Sequence, residues 1–174
     1  KTGVANTLNN IGEIYKKQGK YPEAMDYYSR SLELKKELKN KSGMANTLSN
    51  IGDVFALKLE YKEALNYYNQ SLLLLKELDD KDGKATVNDN IGAVYFKMRQ
   101  YVPAIEYLKT GLQLAIDIGS TEEQRKAYIW LSQIYEKLGD YKKANEYIKQ
   151  NALIRDSLLN QQNNKQITEI QEVQ

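Results

Sequence analysis

Ile-Gly-Glu-Ile-Tyr, residues 11–15, returns at three later places in this chain of 174 residues. The copies are Ile-Gly-Asp-Val-Phe at 51–55, Ile-Gly-Ala-Val-Tyr at 91–95 and Leu-Ser-Gln-Ile-Tyr at 131–135. Each copy begins 40 residues after the one before it, with no insertion. A constant period of this length is typical of solenoids built from stacked helical units.

Each period contains the signals of two helices. In the first period Leu8, Ile11 and Tyr15 lie at helical spacing and form one apolar face. Gly19 is a helix-stop signal, and Pro22 suits the first turn of a second helix, where its missing N–H costs no hydrogen bond. The repeat unit is therefore predicted to be a helical hairpin, and the whole chain to be all-α.

Two columns of small residues, one in each helix, predict close packing within the hairpin. We expect these columns to face each other and to let the helix axes approach, while the surrounding aromatic residues supply buried area. The columns are Gly12, Gly52, Gly92 and Ser132 in the first helix and Ala24, Ala64, Ala104 and Ala144 in the second. The predicted helix N-caps are Ser42, Asp82 and Ser120, the last in a capping box with Glu123.

The spacing that recurs within each period resembles the signature of the tetratricopeptide repeat (TPR) family. The matching residues are Leu8, Ile11, Gly12, Tyr15, Ala24 and Tyr28, and again Leu48, Ile51, Gly52, Phe55, Ala64 and Tyr68. The period is 40 residues instead of the usual length of about 34. HEAT-type repeats have a similar length but lack this glycine–tyrosine–alanine spacing.

The resemblance implies a right-handed superhelical solenoid of four TPR helix-turn-helix hairpins plus a C-terminal helix. The predicted repeats are residues 1–40, 41–80, 81–120 and 121–160, and the capping or linker helix is 161–174. Because the pattern is already in phase at Lys1 and is still helical at Gln174, we expect the segment to come from a larger protein.

The resemblance also implies that the first helices line a concave groove, and helical phase gives the face opposite the packed stripe as the groove surface. The candidate groove residues are Asn6, Asn10, Glu13, Asn46, Asn50, Asp53, Asp89, Asn90, Lys126, Ile129, Trp130 and Gln133. The same phase adds Lys17, Leu57, Thr86, Ala93, Lys97 and Lys137.

Asn10, Asn50 and Asn90 form a ladder of one asparagine per repeat. An amide both donates and accepts, so a ladder can bind a peptide backbone whatever its side chains are. The alternative is that these amides bind neighbouring helices and hold the superhelix together. Acidic residues between them favour a basic or neutral ligand segment over an acidic one.

Trp130 replaces the ladder asparagine in the fourth repeat, next to Ile129. This apolar pair is either a binding hot spot or a surface covered by the chain's own tail. The tail has Ile167, Ile170 and Val173 at three-residue spacing. It is expected to cap the last repeat, with dimer contact or docking in the groove as alternatives.

Composition excludes several classes of function. The chain has no cysteine and no histidine, which removes thiolate and imidazole chemistry, and no metal or cofactor is expected. The net charge of +2 does not favour nucleic acid as a partner. No apolar run approaches the length needed to cross a membrane, so no direct membrane insertion is expected. We expect no enzyme activity and no catalytic residues.

These observations predict a protein-binding or peptide-binding scaffold. The long repeats, followed by residues 156–160 and the polar helix at 165–170, resemble TPR segments that precede the output domains of bacterial sensor histidine kinases and nucleotidyl cyclases. That resemblance implies an interaction or sensory domain on the cytoplasmic or periplasmic side of a membrane-anchored bacterial protein. The alternatives are a stand-alone adaptor and a self-assembling structural solenoid, and a homodimer through the C-terminal helix is left open.

Overall fold

The protein is described by a computed structural model that covers the backbone of residues 1–172 and the side chains of residues 1–165. Within this range all regular structure is α-helical. The helices are α1 (Thr2–Lys17), α2 (Tyr21–Glu37), α3 (Lys41–Leu57), α4 (Tyr61–Glu77), α5 (Lys81–Lys97), α6 (Tyr101–Asp117), α7 (Thr121–Lys137) and α8 (Tyr141–Glu172). The all-α fold and the solenoid of consecutive hairpins are as predicted.

The seven turns between helices have one conformation. Each contains a residue in the left-handed region, with φ between 49° and 76°, and these residues follow one another every 20 positions. They are Gly19, Lys39, Leu59, Asp79, Arg99, Gly119 and Gly139. In the first turn the Lys20 N–H then donates to the carbonyl of Tyr15 at 3.0 Å, which satisfies a carbonyl at the end of α1.

Stacked aromatic rings join the two helices of every hairpin. The ring centroids lie 5.2 to 5.7 Å apart, a separation typical of favourable aromatic pairs. The pairs are Tyr15–Tyr27, Phe55–Tyr67, Tyr95–Tyr107 and Tyr135–Tyr147. Two of the tyrosine columns seen in the sequence are therefore the two sides of one repeated contact.

The glycine column has a different neighbour from the one predicted. A Cβ atom on Gly52 would lie 2.7 Å from the ring of Tyr68, and Gly12 faces the ring of Tyr28 in the same way. At Gly92 the nearest side chain is Leu108, with the carbonyl of Ala104 beside it. The glycines therefore make room mainly for the large residue that follows the alanine by four positions.

Two of the predicted N-caps are wrong by two residues. Asn40 and Asp80 are the N-caps, and their side chains accept hydrogen bonds from the N–H groups of Gly43 and Gly83 at 2.9 and 3.0 Å. Ser42 and Asp82 instead lie inside the first turns of α3 and α5. They fail as caps because the turn residues Lys39 and Asp79 already fix where the next helix begins.

At the next hairpin Ser120 does occupy the N-cap position, but its side chain makes no capping hydrogen bond. Its predicted partner Glu123 is buried and bonds Lys126 instead. The predicted capping box is therefore absent.

The last helix also differs from the prediction. Residues 161–172 continue α8 without a break, so they do not form a separate capping helix. Residues 159–165 are exposed, so this part of α8 buries little surface against the solenoid. The predicted apolar contacts of Ile167, Ile170 and Val173 lie outside the described side chains.

The order of contacts between helices defines the inner surface of the solenoid. Besides its sequence neighbours, α3 contacts α1 and α5, and α5 contacts α7. In the part of the chain that the structure describes, no such contact joins α2, α4, α6 and α8 to one another. The first helices of the repeats are therefore closer together than the second helices, and they line the concave side as predicted.

Candidate functional site

The concave side contains a groove of about 400 Å³ between the first helices of the repeats. We call it the Trp130 groove. Its lining residues are Lys16, Asp53, Ala56, Leu57, Tyr61, Tyr68, Asn90, Ala93, Val94, Lys97 and Trp130. The groove therefore draws on α1, α3, α4, α5 and α7, and no single repeat could form it alone.

Asp53 is the polar centre of the groove, and both of its carboxylate oxygens accept hydrogen bonds from other side chains. Oδ1 accepts from the Tyr68 hydroxyl at 2.7 Å and from the Asn90 amide at 3.3 Å. Oδ2 accepts from the ammonium group of Lys16 at 2.9 Å. These three donors come from α4, α5 and α1, so Asp53 ties three repeats together.

Glu13 occupies the equivalent position in the first repeat and is engaged in the same way. Its carboxylate accepts from the Tyr28 hydroxyl at 3.0 Å and pairs with Lys16 at 2.8 Å. Burial alone would raise the pKa of Glu13, but the hydrogen bonds and charges of Lys16, Tyr28 and Lys17 lower it below its usual value. Glu13 therefore stays ionised, and its charge is neutralised by its neighbours.

Lys16 links the two carboxylates. Burial tends to lower the pKa of Lys16, but the charge of Asp53 and the hydrogen bond with Glu13 outweigh it and raise the pKa. Glu13, Lys16 and Asp53 thus form a chain of alternating charges along the inner surface.

Trp130 forms the apolar edge of the groove. Its ring lies 5.6 Å from that of Phe96, centroid to centroid, and the Lys97 ammonium lies 5.8 Å from the indole centroid. The indole is half-buried, and nearby Leu57 is 53% exposed. A large aromatic ring and an exposed leucine in a concave surface are features of binding sites.

The asparagine ladder is engaged within the protein at two of its three positions. Asn50 donates to Oδ1 of Asn9 at 3.3 Å, and Asn90 donates to Asp53. Each bond crosses from one repeat to the preceding one, as the structural interpretation requires. Asn10 is exposed on α1.

Asp89 does not lie in the groove, and its placement there by helical phase is wrong. It is 4% exposed, and its carboxylate lies against Gly111 of α6. Burial, followed by the charge of Glu123, raises the pKa of Asp89 to about 8, although Lys126 opposes this shift. Neither oxygen of Asp89 has a hydrogen-bond partner among the described residues, which is consistent with a protonated acid at neutral pH.

The structure brings together six of the residues predicted to face the groove in the lining of one groove: Asp53, Leu57, Asn90, Ala93, Lys97 and Trp130. Asn6, Asn46, Gln133 and Ile129 are exposed elsewhere on the first helices. Lys126 pairs with Glu123 at 2.9 Å. The remaining candidates, Asn10, Glu13, Asn50 and Asp89, have the positions given above.

Sequence reasoning missed Lys16, Tyr61 and Tyr68 as groove residues, because Lys16 flanks the packed stripe and the tyrosines belong to a second helix. A signal was present for Tyr68. Where a repeat has an acid in the glycine motif it has a tyrosine fifteen residues later, and where it has none the tyrosine is absent. The four combinations are Glu13–Tyr28, Asp53–Tyr68, Ala93–Leu108 and Gln133–Ile148.

Among the described residues no group of three or more acidic side chains is placed to hold a metal ion. None of the described helices is long and apolar enough to cross a lipid bilayer.

Comparison with protein families identifies the repeats. Two family models, both described as tetratricopeptide repeat, match residues 3–77 and residues 126–150. Together the matches cover more than half of the chain. The chain is thus a protein with tetratricopeptide repeats, as its sequence pattern predicted. No curated protein sequence matches it.

Solved structures share this fold. Aspartyl phosphate phosphatase F from Bacillus subtilis has a TM-score of 0.86 and 21% identity, over 90% of this chain and 41% of its own. A Rap protein complexed with competence and sporulation factor has a TM-score of 0.82 and 20% identity, over 88% of this chain and 43% of its own. MamA has a TM-score of 0.67 and 18% identity, over 90% of this chain and 81% of its own. The chain spans about two fifths of the phosphatase and of the Rap protein, and identities this low show the fold alone.

Proposed function

We propose that this chain is a protein-interaction scaffold that binds an extended peptide segment of a partner in the Trp130 groove. The observation that carries the proposal is the groove itself, in which a half-buried tryptophan and an exposed leucine lie in one lining with the side-chain amide of Asn90. Its volume of about 400 Å³ falls at the low end of the range for ligand sites, roughly 300–1,000 Å³. A groove of this size suits side chains on an extended backbone better than a folded domain.

Asn90 is the residue that best fits contact with a peptide backbone. Its amide nitrogen donates to Asp53, and Asn90 lines the groove, so its side-chain carbonyl oxygen can serve as the acceptor for a ligand N–H. We infer that Asn50 has a mainly structural role, because its hydrogen bond to Asn9 joins α3 to α1 and Asn50 does not line the groove.

Trp130 provides a direct test of peptide binding, since it is the only tryptophan in the chain. Peptides selected from a random heptapeptide phage library on the immobilised protein would be titrated against the protein while tryptophan emission is recorded. A saturable change in emission is expected, and Asn90→Ala should weaken the affinity. Asn66→Ala, an exposed asparagine of α4, is the matched control and should bind like the parent.

Asn50→Ala separates the two interpretations of the ladder. If Asn50 is structural, the variant should lose stability towards urea and keep the affinity of the parent. A loss of affinity without a loss of stability would instead assign Asn50 to the ligand. If no selected peptide changes the tryptophan emission, the proposal that the groove binds peptides is wrong.

Within this scaffold class, we propose that the chain is the interaction or sensory domain of a larger bacterial signalling protein. The presence of a Rap protein in complex with a factor among its structural neighbours supports this, as does the extension of α8 beyond the last hairpin. We assign binding, and no catalysis, to the domain. Sequencing the gene on both sides of the segment is the test, because a membrane span and a kinase or cyclase domain should follow.

The alternatives have their own tests. A stop codon shortly after the segment would favour a stand-alone adaptor. A molar mass that rises with concentration in light scattering would favour self-assembly or a homodimer through the C-terminal helix. A concentration-independent monomer mass would remove both of these.

A further inference from the structure

Some charged side chains near the Trp130 groove are already paired within the protein, and others are not. Only the unpaired ones are readily available to a ligand. Both carboxylates of the inner surface, Glu13 and Asp53, pair with Lys16 and accept hydrogen bonds from tyrosine hydroxyls, and Lys17 adds a second cation beside Glu13. A cationic ligand group would have to compete with these short contacts for the two carboxylates. Glu13 and Asp53, two of the acidic residues that favoured a basic or neutral ligand, are therefore already paired with side chains of the protein.

Asp89, the third acidic residue in that expectation, is buried against α6 and does not face the ligand. Its pKa of about 8 also keeps it largely neutral at pH 7. The negative field expected over the groove is therefore much weaker than the sequence indicates.

Lys97 is a charged residue of the groove lining that remains available to bind a ligand. It is exposed at the end of α5, and no ion pair of Lys97 occurs among residues 1–165. Its contact is with the face of Trp130, at 5.8 Å from the ring centroid. A cation over an aromatic face can bind an anion on its other side while the ring beneath packs against an apolar group.

Apolar residues make up much of the rest of the groove lining. They include Ala56, Leu57, Ala93 and Val94. Small side chains on α3 and α5 open the space, and Leu57 and Trp130 provide surface for a large apolar group.

We propose that the groove selects an extended segment in which a large apolar side chain is followed or preceded closely by an aspartate or glutamate. The apolar side chain packs on Trp130 and Leu57, and the carboxylate binds Lys97. This inference rests on the proposed function, and it specifies the chemistry of the partner that the groove accepts.

The test is a parallel selection of a random heptapeptide phage library on the parent protein and on Lys97→Glu. The parent pool should be enriched in peptides with Phe, Leu, Ile, Met or Trp within two positions of Asp or Glu. The Lys97→Glu pool should lose this acidic preference and gain lysine or arginine at the same positions. Lys109→Glu, an exposed lysine of α6, is the matched charge control and should select the same peptides as the parent.

Synthetic versions of the strongest peptide selected on the parent protein allow the contribution of Lys97 to the binding affinity to be measured. Tryptophan emission should report an affinity for Lys97→Gln roughly two- to fivefold weaker than for the parent, as expected for one exposed ion pair. Replacing the acidic residue of the peptide by glutamine should weaken binding to the parent by a similar factor, and should have no effect on binding to Lys97→Gln. Thermal unfolding followed by circular dichroism would verify that each variant is folded.

The outcomes separate the two levels of the proposal. Peptides that bind in the groove with no acidic preference, or with a preference that Lys97→Glu leaves unchanged, overturn this inference and leave the proposed function standing. Peptides rich in lysine and arginine on the parent protein also overturn it. If no peptide perturbs Trp130, both the inference and the proposed function are wrong.

Discussion

Lys35 is a buried ammonium group, 3% exposed, whose hydrogen-bond partner is the hydroxyl of Thr47 at 2.8 Å. Burial lowers its pKa. The next junction between repeats has Leu75 and Val87 at the two equivalent positions. The same packing site is therefore polar at one junction and apolar at the next.

We predict that Thr47→Val lowers the free energy of unfolding by about 1–3 kcal/mol, because it leaves the buried ammonium without its partner. The double variant Lys35→Leu with Thr47→Val, which copies the next junction, should be at least as stable as the parent. Urea unfolding of the parent, both single variants and the double variant completes the cycle. Additive losses in the double variant would show that the two residues are not coupled.

Gly52 gives a second prediction at this scale. An alanine Cβ there would lie 2.7 Å from the ring of Tyr68, so the ring or the helix must move. We expect Gly52→Ala to destabilise the protein by about 1–2 kcal/mol in urea, despite a gain of up to about 1 kcal/mol in helix propensity. Gly3→Ala is the control, since no atom lies within 4 Å of its added Cβ. Gly3→Ala should be neutral or slightly stabilising, and equal effects at both sites would contradict the packing described here.

Single residues also show how far the sequence predicts the site. The 40-residue period correctly indicates the hairpins and the inner position of the first helices, because these depend on columns that every repeat shares. The burial of Asp89 could not be predicted in the same way, because it depends on a residue that differs between the repeats. Ser31 and Ser71 donate to the carbonyls of Ala5 and Ala45, whereas the third repeat has Gly111 at that position, and the Asp89 carboxyl fills the space.

The engagement of Asp53 is the other part that sequence reasoning did not predict. A helical phase gives the direction of a side chain but not its partners on other helices. Tyr68 and Lys16 reach Asp53 from α4 and α1, and only the packed hairpins bring these groups within hydrogen-bond distance. The sequence therefore predicts which face of the first helices forms the candidate groove. It does not predict which charged side chains on that face are paired within the protein.

At the scale of helices, the α5–α7 contact is predicted to depend on pH. Asp89 of α5 lies near Glu123 and Lys126 of α7, and its pKa of about 8 is far above the value of about 3.9 for a free aspartate. The folded state therefore binds more protons than the unfolded state between these values. Stability from this group is fully present below about pH 4 and is lost as the pH rises towards about 8.

We expect Asp89→Asn to be more stable than the parent at pH 8.5 and to lose much of this pH dependence, because the amide cannot ionise. Urea unfolding at pH 5, 7 and 8.5 measures the effect. Asp82→Asn, an exposed aspartate of the same helix, serves as the control and should follow the parent. The assignment of the buried acid is wrong if Asp89→Asn and the parent show the same slope of stability against pH.

At the scale of the whole molecule, the described solenoid ends with a helix that continues beyond its last buried residues. Because residues 159–165 of α8 are exposed, they bury little apolar surface. We predict that a chain ending at Asn160 unfolds in urea within about 0.5 kcal/mol of the parent. A loss of 2 kcal/mol or more would support the expectation that residues 161–174 act as a cap.

The pattern of helix contacts, in which each described helix contacts others at most two places away along the chain, has a mechanical consequence. Nothing in the described structure ties the first hairpin to the last, so the molecule resists bending and stretching only through the interfaces between neighbouring repeats. Such an array behaves as a soft spring. When it is pulled by its two ends, the distance between successive repeats would increase first, and hairpins would then unfold one after another. Tension on α8 would therefore change the spacing of the helices that form the Trp130 groove.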